Sequence, residues 1–252
     1  MNRTRIQGSP SAAGRAGPAR TRAVLAAWSL IPLLACCAVR AEVDPLSWDG
    51  DLATLEVFAA PSADGKTELM NAAGEGDVER AQALLEAGAA VDERNANGGT
   101  ALMYAVSANH LDVVRLLLDR GADPNASARI GWTPMLVAAA KGRDGAVRLL
   151  LEVGAEPATR DGYGWTPLMR AVSGGYIEAV EALLASGRAE PEAREESGAT
   201  ALHIAAGRGF AEIVARLLAA GAERRATDGA GRTPAEVARM LGHSRAEALL
   251  RS

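Results

Sequence analysis

Cysteine is nearly missing from this chain. Two occur in 252 residues, Cys36 and Cys37, side by side in an apolar N-terminal segment. The rest of the chain can therefore form neither a disulfide nor a thiolate metal site, and its fold is indifferent to redox compartment. Aromatic residues are scarce as well, nine in all, so Ala, Leu and Val must fill the core. That composition favours helices packed closely through small side chains. A basic surface is lacking. The net charge is −4, but residues 1–41 hold six arginines and no acid, which leaves 21 basic against 31 acidic residues in the remainder. An acidic body argues against a nucleic-acid partner, because phosphate binding needs a basic face. Also lacking are a serine nucleophile elbow, a metal-spaced histidine pair and a phosphate loop, so neither a cofactor nor a metal is expected.

The N-terminal segment has a layout of its own. Residues 1–22 are basic and rich in Gly, Pro, Ser and Ala, and 23–39 are almost wholly apolar. A basic stretch followed by a short apolar one is the pattern of a secretory signal. A spanning helix needs about 20 apolar residues; this run has 17 with Pro32 inside it, so an uncleaved anchor is the alternative. Residues 1–41 are read as signal or anchor and place the protein in the periplasm or cell envelope. Two processing sites compete. Val39-Arg40-Ala41 would release a chain starting at Glu42, whereas Leu33-Leu34-Ala35-Cys36 resembles a lipobox that would lipidate Cys36. Leu34 is bulky for a lipobox, and the residues after Cys36 stay apolar, which favours simple cleavage.

The rest of the chain is periodic. Thr67, Thr100, Thr133, Thr166, Thr200 and Thr233 are separated by 33, 33, 33, 34 and 33 residues. Gly88, Gly121, Gly154, Gly187 and Gly221 keep the same period, and each lies 21 residues after its threonine. The single insertion falls between Gly187 and Thr200. Packed helices must keep their length, whereas an exposed loop need not.

Residue types explain the segments. Threonine caps a helix N-terminus, and proline suits the first helical position, as at Thr133-Pro134, Thr166-Pro167 and Thr233-Pro234. A short alanine-rich helix follows each threonine. After a Gly or polar break comes a second helix with apolar residues on one face, such as Val113, Val114, Leu116 and Leu117. The periodic glycine suits the left-handed turn that ends this helix.

This pattern closely resembles the ankyrin repeat. The fullest matches are Gly131-Trp132-Thr133-Pro134, Gly164-Trp165-Thr166-Pro167-Leu168 and Thr200-Ala201-Leu202-His203-Ile204-Ala205-Ala206. Thr67, Thr100 and Thr200 lack the proline, and only His203 keeps the motif histidine. The resemblance implies an all-α repeat solenoid, a stack of helix-turn-helix units with β-hairpin-like loops, over residues 63–252. The repeats fall at about 63–94, 95–127, 128–160, 161–194 and 195–227, with a C-terminal cap at 228–252. Residues 42–62 are either a cap on the first repeat or a tether.

The resemblance also implies where a partner binds: loop tips and the exposed side of the first helices, which line a concave face. Three residues before the threonine stand Ile130 and Tyr163, and directly before it stand Trp132 and Trp165. These four are expected to form one exposed patch, with Arg129 and Lys141 at its rim and Arg208 on the next floor position. Trp and Tyr are common hot-spot anchors. The competing reading is that the rings pack on the adjacent loop and stiffen it. His203 is expected to be structural, and His110 and His243 to mark helix boundaries.

Function follows as an expectation. The leading reading is a non-catalytic, monomeric binding module for another protein. By analogy with exported bacterial ankyrin proteins, it would be a scaffold or support factor for an envelope partner, touching the membrane only through its N-terminus. An inhibitor or immunity-type protein whose acidic concave surface blocks a secreted enzyme is the second reading, and a host-directed effector another.

Overall fold

The computed structural model describes residues 65–252. The expectations for the leader, for Cys36 and for residues 42–62 lie outside the described residues. Twelve α-helices follow in six pairs: α1 (Glu68–Glu75) with α2 (Val78–Glu86), α3 (Ala101–Ala108) with α4 (Leu111–Asp119), α5 (Pro134–Ala140) with α6 (Asp144–Glu152), α7 (Pro167–Gly174) with α8 (Ile177–Ala185), α9 (Ala201–Arg208) with α10 (Ala211–Ala219), and α11 (Pro234–Met240) with α12 (Ser244–Arg251). No strand occurs among the described residues.

The periodic threonines start the first helices. At Thr67, Thr100, Thr133, Thr166 and Thr233 the hydroxyl accepts the N–H three residues on, at 3.2–3.5 Å. Such a cap contributes about 1 kcal/mol. Pro134, Pro167 and Pro234 sit just behind three of them. At Thr200 the hydroxyl meets Nδ1 of His203 at 2.9 Å instead.

Residues at the start of the second helices reach back to the preceding repeat. His110 Nε2 lies 3.2 Å from the Gly74 carbonyl, and His243 Nε2 lies 2.9 Å from that of Gly207. Arg143 donates from Nε and Nη2 to the Ser107 carbonyl at 3.3 and 3.2 Å. These carbonyls belong to the last turn of a first helix, where no intrahelical donor remains. The clip needs close approach. Gly76 has φ +78, and a Cβ there would stand 2.5 Å from the His110 ring. Tyr176 lies equally close over Gly142.

Packing forms layers. Every residue of Ala101–Ser107 and of Pro134–Ala140 is buried, because these first helices lie between neighbouring first helices and their own second helices. The second helices bury one face only, such as Val113, Val114 and Leu117, and leave the other wet. One apolar core runs from Leu69 to Leu250 through all six units. Stability is then a sum of repeat and nearest-neighbour terms. The last helix buries only Ala246 and Leu250, as an end unit must.

Candidate protein-binding face

Five hairpins connect the repeats, at 95–99, 128–132, 161–165, 195–199 and 228–232. Each is closed by its first N–H donating to its fifth carbonyl, at 2.7–3.1 Å. Successive hairpins are joined by backbone bonds in register: Arg129 N–H to Asn97 O at 2.9 Å, Gly162 N–H to Ile130 O at 2.8 Å, Glu196 N–H to Tyr163 O at 3.3 Å, and Gly229 N–H to Ser197 O at 2.8 Å. Residues at the same hairpin position therefore stand side by side.

Four hairpins are stitched by the side chain at their first position. Asp161 Oδ1 accepts from the backbone N–H of Tyr163 at 2.9 Å and of Trp165 at 3.0 Å. Asn95 and Asp228 do the same in their hairpins, and Glu195 does so with a longer side chain. Asp228 is held below its ordinary pKa: burial pushes it up, but the bonds from Arg232 outweigh that. The exception is Ala128, which has no acceptor to offer. Its hairpin takes a 3₁₀ turn at Arg129–Gly131, with Ile130 in the left-handed region at φ 58°. A β-branched residue rarely adopts that conformation.

The tryptophans do not stand where the sequence led us to expect. Trp132 is 2% exposed and Trp165 6%. Both rings face the Arg170 guanidinium, at 5.2 and 4.7 Å from ring centre to Cζ. Arg170 is itself buried and donates from Nε to Asp161 Oδ2 at 3.0 Å, with Nη2 on the same oxygen. The expected four-residue exposed patch is thus corrected. A buried cation draws the indoles inward, because their faces attract it. The same carboxylate that folds the hairpin neutralises this cation.

What remains exposed on the two tips is Arg129, Ile130 at 47% and Tyr163 at 41%. The methyl Cγ2 of Ile130 lies over Gly162, so the two tips touch. On the floor, Lys141 follows α5 and is half-buried. Burial, and then the nearby Arg143, lower its pKa. Arg208, also half-buried, donates to Ser173 Oγ at 3.4 Å. The exposed tip and floor positions of the third and fourth repeats carry Arg129 and Lys141, and the one acid of these two hairpins, Asp161, is buried.

The histidines are structural. His203 is fully buried; its Nδ1 takes the Thr200 N–H at 3.3 Å, and its Nε2 lies 2.9 Å from the Arg232 carbonyl. Nε2 therefore donates, and burial lowers the pKa and keeps the ring neutral. No group of three or more His, Cys, Asp and Glu is placed to hold a metal among the described residues. A depression of about 270 Å³ beside Ile177, Phe210 and Ile213 carries only Glu212 and Arg245 as ionisable lining groups.

Family models described as ankyrin repeats match residues 46–128, 126–195 and 184–238. The chain belongs to the ankyrin repeat family. The fold is similar to the crystal structure of EF0377, an ankyrin repeat protein. The identity is 32%, the match covers 73% of this chain and 96% of that one, and the TM-score is 0.69. No curated protein matches the chain. Ankyrin repeats mark a protein–protein interaction module, and the family is generally non-catalytic.

Sequence reasoning missed Arg170 and Asp161. A signal was present. Arg170 occupies the first-helix position where Val137, Ile204 and Val237 stand in other ankyrin units, and it lies nine residues after an acid. Asn95 and Tyr104 share that spacing, joined at 2.8 Å, so a polar residue at both positions marks a hairpin-to-helix bond. Tyr104 also carries Lys66 Nζ over its ring at 4.7 Å.

Proposed function

We propose that this chain is a non-catalytic docking module that acts as a scaffold or support factor for another protein in the cell envelope. The observation that carries this reading is the pair Ile130 and Tyr163. They are large apolar side chains presented to solvent on adjacent, hydrogen-bonded hairpins of a stiff stack. Exposed apolar groups on a rigid support suit recognition, because little ordering entropy is lost on binding. The module acts as a monomer exported by its N-terminal leader, and it touches the membrane only through that leader or a lipid on Cys36. No helix among the described residues is long and apolar enough to cross a membrane.

The test compares the full chain with Ile130→Asp/Tyr163→Asp in affinity capture from an envelope extract, with thermal melting alongside. A protein retained by the parent and lost by the double variant, at equal melting temperature, is the expected result. Equal capture by both would remove these tips from the binding face. The mass of the purified protein's N-terminus checks export: a start at Glu42 supports cleavage, and an intact Met1 counts against processing.

A further inference from the structure

The face formed by hairpins 128–132 and 161–165 has a charge that the rest of the molecule does not prepare for. Beyond residue 41 the chain carries a net excess of acids. Yet the charged residues at the exposed tips and floor of these two repeats are the cations Arg129 and Lys141; Asp161 is buried, and the nearest acid on the next hairpin, Glu196, adjoins Tyr163. Two further cations nearby are already engaged. Arg170 is paired with Asp161 beneath the tips, and Arg143 is bonded to the Ser107 carbonyl. Asp144, the acid closest to Lys141 in sequence, begins α6 and makes no ion pair among the described residues. Lys141 makes none either. It is a half-buried cation beside a second cation, Arg143, and an arriving anion would offset the cost of burial and the repulsion.

We propose that this face takes an acidic, extended protein segment, with an apolar side chain on Ile130 and Tyr163 and a carboxylate on Lys141. The proposal rests on the docking face described above and adds its chemistry. Geometry supplies a register. Helix α5 has seven residues between the hairpin and Lys141, about 10 Å at 1.5 Å per residue. An extended segment covers roughly 3.3 Å per residue. Its acid should therefore lie about three to five residues from its apolar anchor. Ile130, held at positive φ on an exposed tip, fits this role, since strained residues persist where they serve a site.

Random linear peptides displayed on phage and panned on the full chain test the idea. The expected consensus has Asp or Glu at that spacing from an aliphatic or aromatic residue. Synthetic peptides of that consensus should bind Lys141→Glu and Lys141→Met about tenfold or more weakly. A peptide with the acid changed to Lys should recover binding on Lys141→Glu. Peptides that depend on Ile130 and Tyr163 but carry no acid, or ignore both Lys141 variants, would overturn the acidic partner and leave the docking face standing. Should no peptide respond to Ile130→Asp/Tyr163→Asp, both readings fall together. Displacement of the peptide by a single-stranded oligothymidylate would make nucleic acid the occupant and overturn the proposal.

Discussion

The hairpins at 128–132 and 161–165 are neighbours of equal length, yet they are built differently. The fourth repeat's hairpin is wound around a carboxylate. Asp161 satisfies two backbone N–H groups and a buried guanidinium, and the two indoles close over that cation. The third repeat's hairpin has alanine in the equivalent place and no side-chain acceptor. It is held by backbone bonds alone, its own and those to the Asn97 carbonyl on one side and the Gly162 N–H on the other, with Ile130 at positive φ. One hairpin adds a side-chain support and the other does without it. The hairpin without it presents the more exposed apolar residue.

The largest effect should come from removing the internal support. Asp161→Ala leaves a buried cation unpaired and two N–H groups unsatisfied. A loss of about 3–5 kcal/mol in urea unfolding is expected. A loss under about 1 kcal/mol would mean that the carboxylate matters little and the comparison fails.

Trp132→Ala comes next, at about 3 kcal/mol, because it opens a cavity beside Arg170. Were the indole an exposed contact residue, as the sequence alone suggested, stability would hardly change. Differential scanning calorimetry on this variant separates the two outcomes.

The charged support can also be set against a neutral one. His203 ties α9 to the last hairpin as an uncharged ring, with its pKa below 6.5 in the fold. Below an unfolded pKa of about 6.5 the unfolded chain takes up the proton more readily. Stability tied to His203 is therefore full above that value and falls as pH drops toward the folded pKa, by at most about 1.4 kcal/mol per pH unit. Urea midpoints from pH 7.5 to 5 in the parent and in His203→Gln should diverge at the acid end. Parallel curves would count against a neutral buried ring.

The smallest effect is a gain. Ile130→Asn relieves positive φ and should add about 0.5–1 kcal/mol, whereas Tyr163→Asn, at an ordinary backbone position, should stay within about 0.5 kcal/mol. Equal effects at the two tips would erase the difference in strain.

Much of this protein was legible in one dimension. The threonine and glycine periods, the caps and the apolar faces are local matters. A hydroxyl reaching three residues along the chain, or a helix stopped by a left-handed glycine, needs no distant partner. The paired helices and their order follow from that. The fate of the tryptophans did not, because it depends on Arg170, which lies on a helix and meets Trp132 of the preceding repeat only when consecutive repeats stack. Ile130 is a similar case: its backbone is set by what Ala128 lacks and by the carbonyl and amide of the adjoining hairpins. Sequence determined the repeat, and the stack decided which side chains face the solvent, since burial is a property of neighbours that the period brings together but does not name.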